Sequence, residues 1–260
     1  PYTTLFRSGR SSGAVPCRKT GSDSTQCPAG NPHATGRRIR CADAGNRSDI
    51  SPCYDGESKH LAEEVLQGNV DIPGFMRRND AENTEGIAIG FVHHKRIDGN
   101  RIRIGAFTAA DDVVTIMTPY EVLTRRAFAF TTRNRCMQIV RQLYELAYVF
   151  DLQIGVLGSA ALELITGLPY TDENSDIDLI VKPAGYNRLL QFYRAAQACC
   201  SDINMDFELD LPNGYGVKLA EIFMETQTVL GKSLEDVSLL NRKDVMQYLK
   251  SESLCSCQAE

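Results

Sequence analysis

Asp176-Ile177-Asp178 stands in an apolar run, with a gap of sixteen residues separating Asp176 from Ser159 of an upstream Gly158-Ser159 pair. In a β-strand alternate side chains share a face, so Asp176 and Asp178 point together while Ile177 and Leu179 turn into the core. Two adjacent carboxylates repel, and burying both without compensation is costly. A divalent cation between them removes that cost. Mg²⁺ takes carboxylate oxygens together with substrate phosphate oxygens. A third carboxylate from a neighbouring strand would complete a two-metal cage. "NMDFELDL" alternates strictly, with Met205, Phe207 and Leu209 on one face and Asp206, Glu208 and Asp210 on the other. Asp206 is the first choice for the third ligand and Glu208 the second.

The Gly-Ser pair falls where an apolar run, "QIGVL", gives way to a helical pattern, "SAALELITG". A helix N-terminus offers unpaired N–H groups to an anion. Gly158 lets a phosphate approach the backbone, and Ser159 is placed to cap the helix and donate its hydroxyl to the same phosphate. Alone, an Asp-x-Asp is usually a solvated face and a Gly-Ser an ordinary cap. The joint order of strand, Gly-Ser, helix and Asp-x-Asp strand is far more restrictive. It points to metal-assisted chemistry on a phosphoanhydride, with leaving pyrophosphate stabilised by the metal.

The elements that must hold these residues are legible around them. "SKHLAEEVLQG" reads as a helix ended by Gly68, and "IAIGFVHHKR" with "NRIRIGAF" as a hairpin turned at Asp98-Gly99. "VVTIM" reads as a further strand. "TPYEVLTRRAF" opens a helix with Thr118 as cap and Pro119 in the first turn. "RCMQIVRQLYELAYVFDL" has helical spacing at Ile139, Leu143, Leu146 and Val149. "GYNRLLQFYRAAQACC" and "NRKDVMQYLKS" are helices, and "PNG" turns "NMDFELDL" back into "YGVKLAEIFM" as a second hairpin. The expected organisation is a leader over 1–46 that is disordered or foreign to the fold, a small α+β N-terminal domain over 48–129, and a catalytic domain over 130–250. The expected fold class is α+β with α/β character, a mixed sheet packed by helices.

Bulk properties narrow the class. The chain has 260 residues, a hydrophobic fraction of 43% and a net charge of −5, which suits an ordinary globular protein. Residues 1–50 hold eight Lys/Arg against three Asp/Glu, so the remainder is acidic and unsuited to nucleic acid. No apolar run is long enough to cross a membrane, and no signal peptide is visible, so cytoplasm is the expected location. The nine cysteines form no Cys-x-x-Cys pair. They are expected as reduced thiols, with Cys199 and Cys200 on the buried side of a helix.

Gly158-Ser159 followed by Asp176-x-Asp178 resembles the nucleotidyltransferase superfamily. "GVLGSAALELITGLPYTDENSDIDLIV" is closer still to the malonate decarboxylase holo-acyl-carrier-protein synthases, the phosphoribosyl-dephospho-CoA transferases. Supporting stretches are "DIPGFMRR", "IAIGFVHHKRIDGNRIRI", "TPYEVL", "MDFELDLPNGYGVKLAEI" and "VLGKS", and the resemblance covers about Ser48 to Leu249. It implies a nucleotidyltransferase-type sheet and transfer of phosphoribosyl-dephospho-CoA from 2'-(5''-triphosphoribosyl)-3'-dephospho-CoA to a serine of the apo acyl-carrier protein of malonate decarboxylase. Asp176 and Asp178 would then carry Mg²⁺, Gly158 and Ser159 would hold the triphosphate, and Asp206 or Glu208 would finish the cage or help deprotonate the serine. The family's basic hairpin element would correspond to His94, Lys95, Arg96 and Arg101, and Lys232 is a candidate phosphate contact. Two alternatives stand beside this reading. One is a different nucleotidyltransferase using ATP on a small-molecule or protein hydroxyl. The other is a catalytically silent binding module of the same fold.

Overall fold

The computed structural model describes residues 5–7, 40–41, 56–66, 68–78, 86–126 and 133–251. The leader expected over 1–46 lies outside the described residues, apart from two short strands, β1 (Leu5–Arg7) and β2 (Arg40–Cys41). The chain is α+β and divides into two units, Phe6–Ile116 and Met117–Glu260. This division precedes the 129/130 boundary expected from the sequence, because the helix opened by Pro119 packs with the second unit.

The first unit carries α1 (Gly56–Leu66), β3 (Gly74–Met76), β4 (Ile87–Ile97), β5 (Asn100–Thr108) and β6 (Thr115–Met117). Its sheet has the order β2-β5-β4-β3-β1-β6. The β4–β5 hairpin turns on Asp98 at φ 49° and Gly99 at φ 79°, both left-handed, as its Asp-Gly pair predicts. β3 lies in a stretch the sequence left unassigned.

The second unit begins with α2 (Pro119–Arg126). Thr118 and Glu121 close a reciprocal capping box: the Thr118 N–H donates to Glu121 Oε2 at 2.8 Å, and the Glu121 N–H to Thr118 Oγ1 at 3.2 Å. Then follow α3 (Arg135–Val149), β7 (Ile154–Val156), α4 (Gly158–Thr166), β8 (Ile177–Val181), α5 (Tyr186–Cys199) and β9 (Met205–Asp210). The chain ends with β10 (Gly216–Lys218), α6 (Leu219–Ile222), β11 (Thr228–Lys232), β12 (Val237–Asn241) and α7 (Arg242–Ser251). The six strands lie side by side in chain order. Every adjacent pair is antiparallel except β8 and β9, which run parallel and are joined through α5.

β8 is an interior strand. Ile177, Leu179, Ile180 and Val181 are all fully buried, which stabilises the fold by roughly 1.5–3 kcal/mol each. A one-residue slip would turn Leu179 out and Asp178 in, so register is strongly specified. On one face of the sheet Phe207 meets Phe192 of α5 edge-on, with centroids 5.7 Å apart. On the other, Tyr120 of α2 packs with Leu157 and Ile180. Three sequence expectations need correction. Asp210 is not on an open polar face: it is buried, taking a hydrogen bond from the Tyr120 hydroxyl at 2.7 Å and one from Lys182 Nζ at 2.6 Å. The run "YGVKLAEIFM" is a strand only as far as Lys218 and then turns helical as α6. Cys200 is buried as expected, but Cys199 is exposed.

Candidate active site

The Gly-Ser turn and the Asp-x-Asp strand meet at one point. The Leu157 N–H, at the end of β7, donates to the Asp178 carbonyl at 2.9 Å. Gly158 follows at φ +60°, a left-handed conformation that glycine adopts without a Cβ penalty. A Cβ at Gly158 would run into the Asp178 carboxylate, so the turn is pressed against that side chain. Leu157 holds the N-cap position of α4 with no side-chain cap. Ser159 is therefore in the first turn rather than at the cap, which corrects the expected role.

Asp176 is exposed, just ahead of β8, and Asp178 is half-buried within it. The parallel register places Asp178 beside Asp206 and Ile180 beside Glu208. Asp206 and Glu208 are both half-buried. On the far side of β9, Lys218 is the register partner of Glu208, and its Nζ donates to Asp206 Oδ2 at 2.8 Å. Lys218 is a site residue that sequence reasoning missed. Burial raises the Asp178 pKa, and Asp206 and Asp176 raise it further against the pull of Lys218. Glu208 is likewise pushed up, first by burial and also by Asp206 and Asp178, while Lys232 draws it down. Lys218 is held above the usual lysine range by its hydrogen bond to Asp206.

The four carboxylates offer oxygen donors only, the chemistry of a hard cation such as Mg²⁺. Asp178 and Glu208 are driven toward protonation first by burial and then by neighbouring carboxylates, a charge pattern that a cation would relieve. Among the described residues no three carboxylate, histidine or cysteine side chains are drawn together closely enough to hold a metal as they stand; Asp206 is engaged with Lys218. Lys232 ends β11, opposite Gly216 of β10, two strands from β9. Arg96 and Arg101 lie in the first unit as cross-strand partners on the β4–β5 hairpin, with Arg96 bonded to the Gly99 carbonyl at 2.9 Å. His94 stacks on the buried His93, with centroids 4.6 Å apart, and Lys95 follows in the same strand.

A second group that the sequence did not single out holds the approach to β8. Glu163 of α4 is buried and takes bonds from Arg133 Nε at 3.0 Å, the Thr171 N–H at 2.7 Å and Thr171 Oγ1 at 2.7 Å. Asn134, which caps α3, donates to Thr171 Oγ1 at 2.8 Å. Nearer Asp176, buried Ser175 accepts from the Asp172 N–H at 2.9 Å. Burial alone would raise the Glu163 pKa, but the Arg133 and Thr171 bonds outweigh it and hold the carboxyl below the usual range. Its contribution is therefore full above the unfolded pKa and is lost as pH falls through the lower folded value. Glu163→Ala is expected to cost about 3 kcal/mol at neutral pH, near the low end for a broken buried pair because Arg133 reaches water. A urea melt at pH 7 and again at pH 4 checks it: the difference between variant and wild type should shrink at the lower pH.

Residues 123–243 match the family described as the phosphoribosyl-dephospho-CoA transferase MdcG C-terminal domain. The chain is also 27% identical over 172 residues to a curated phosphoribosyl-dephospho-CoA transferase of Bradyrhizobium diazoefficiens, covering 65% of this chain and 74% of that protein. No solved structure matches the chain. The matched segment contains α4, β8, β9 and Lys218, and so the whole carboxylate cluster.

Proposed function

We propose that this chain, whose residues 123–243 match the phosphoribosyl-dephospho-CoA transferase MdcG C-terminal domain, moves phosphoribosyl-dephospho-CoA from its triphosphoribosyl donor to a serine hydroxyl of the apo acyl-carrier subunit of malonate decarboxylase. Pyrophosphate leaves. The observation that carries the reading is the register of Asp178 beside Asp206 with Gly158 against Asp178. It sets a glycine turn and a carboxylate pair beside the β8–β9 pair, the one parallel pair of this sheet among the described residues.

The serine oxygen forms a bond to the phosphorus nearest the ribose, and the bond from that phosphorus to the pyrophosphate oxygen breaks. The N-terminal turn of α4 and the Ser159 hydroxyl orient the triphosphate. Asp176, Asp178 and Asp206, with Glu208 as the alternative, are the residues that would hold Mg²⁺, whose charge would offset that of the phosphates. Glu208, whose basicity burial raises, would serve as the proton acceptor. Lys232, on the same sheet as the carboxylates, would add positive charge for the donor. No helix among the described residues is long and apolar enough to cross a membrane, and a cytoplasmic enzyme meeting a soluble carrier protein is consistent with that.

Intact-mass measurement of the apo carrier subunit tests the proposal. With donor and Mg²⁺ the carrier should gain the mass of phosphoribosyl-dephospho-CoA, and chelation by EDTA should abolish the gain. A carrier left unchanged by folded enzyme would overturn the acceptor assignment. Transfer of an adenylyl group from ATP instead would identify a different nucleotidyltransferase.

A further inference from the structure

We infer that the acceptor protein docks on the open face of β11 and β12, over an apolar patch made by Leu230, Val237 and Leu239. The inference rests on the acceptor being a protein, as proposed above, and adds the surface that receives it. Register fixes the side of the sheet these residues occupy, because cross-strand partners share a face. Asp210 is opposite Gly216, Gly216 opposite Lys232, and Lys232 opposite Val237. Moving two residues along a strand keeps the face. Asp206 and Glu208 of β9, Leu230 of β11 and Leu239 of β12 therefore stand on one side of the sheet, with Leu230 and Leu239 directly paired. Exposure agrees: Leu230 is 38%, Val237 48% and Leu239 72% exposed, whereas Val229, which points the other way, is buried.

The opposite side of the sheet is occupied by α5, where Phe192 meets Phe207, and α7 packs against α5. On the carboxylate side, α2 covers the sheet through Tyr120, which packs on Ile180 of β8 and bonds to Asp210 of β9. The flank left open beside Asp206 and Glu208 is the one that carries the patch. At ordinary strand spacing Leu230 lies about 10 Å from β9 and Leu239 about 14 Å. A protein interface of about 800 Å² per partner spans both the patch and the carboxylates, so a protein seated there can reach the cluster with its serine. A small molecule is a poorer occupant, since ligand pockets are concave and enclose what they bind, whereas Leu239 projects. The β11–β12 ladder and the Leu230 N–H, which donates to Glu221 Oε2 at 3.0 Å, hold the patch in place before anything binds. Lys232 borders the patch, so the donor's phosphates and the docked acceptor would meet at its edge.

Steady-state transfer to the apo carrier subunit, with carrier and donor varied in turn, tests this. Leu239→Ser should raise KM for the carrier roughly tenfold. It should leave kcat and the donor KM near wild type, because it removes binding and no chemistry. Leu239→Met should keep the wild-type KM. Val149→Ser, which trims a similarly exposed apolar side chain on α3, is the control and should change nothing. Sedimentation velocity accompanies the kinetics. A rise in donor KM alone would assign the patch to the donor. A wild-type dimer that Leu239→Ser splits, with carrier KM unchanged, would assign it to a second copy of the chain. Unchanged KM values and an unchanged sedimentation coefficient would remove the patch from binding altogether. Each of these overturns the inference while the proposed function stands; a wild-type protein that leaves the carrier unmodified overturns the proposed function and the inference with it.

Discussion

Asp178→Asn is expected to leave a folded protein whose transfer rate is lower by ~10³-fold, the scale set by losing a charged group that organises the reacting phosphate. The asparagine keeps the shape of the side chain and its place against Gly158 but loses the charge that a cation needs. Stability should move the other way. Asp178 lies directly beside Asp206, and removing a like-charge cross-strand pair is worth roughly 0.2–1 kcal/mol. The effect has a pH signature. The folded-state pKa of Asp178 lies above the ordinary value of 3.8, so metal-free wild type loses stability as pH rises from there through the folded value. The variant should lack that slope. Transfer rates and thermal melts between pH 4 and 8 measure both halves; a variant with wild-type rate would remove Asp178 from the chemistry.

Gly158→Ala should damage both stability and activity, for two separable reasons. At φ +60° an L-residue costs about 1–2 kcal/mol. The new Cβ would also overlap the Asp178 carboxylate, and relieving such a clash costs about 1–3 kcal/mol. Displacing that carboxylate by about an ångström would lower transfer by ~10²-fold. Gly167→Ala is the matched control. Gly167 closes α4 at φ +72°, but a Cβ there meets nothing within 4 Å. It should show the backbone penalty of about 1 kcal/mol and keep its activity. Equal activity losses in the two variants would mean that the Gly158–Asp178 contact is unimportant.

The parts of this site that were legible in the sequence are those encoded locally. Gly158, Ser159, Asp176 and Asp178 fall within one strand–helix–strand stretch, and alternation along β9 correctly set Asp206 and Glu208 apart from Phe207 and Leu209. The pairing of Asp178 with Asp206 is different in kind. It depends on a parallel register that no turn sequence encodes, since a helix intervenes. Lys218 was hidden for the same reason, as its neighbour is decided by the β9–β10 register. Asp210 shares the alternation of Asp206 and Glu208, and only α2, from far earlier in the chain, buries it under Tyr120. Glu163 was not singled out, because its partners Arg133 and Thr171 come from either side of its helix in the chain. β11 and β12 are five residues each, too short and too mixed in composition to stand out.

The parallel β8–β9 pair also bears on how the candidate site is assembled. Adjacent parallel strands cannot be joined by a hairpin, so the chain must complete α5 before β9 can dock. The β7–α4–β8 segment is contiguous and can form early from near-neighbour contacts, with Gly158 already against Asp178. Asp206 arrives only with the slower, long-range closure. A half-assembled chain would thus hold the Gly158 turn with Asp176 and Asp178 while lacking Asp206. Completion of the site is in this sense a late folding event, and under the proposed function the return of activity during refolding should report the docking of β9 rather than the growth of helix.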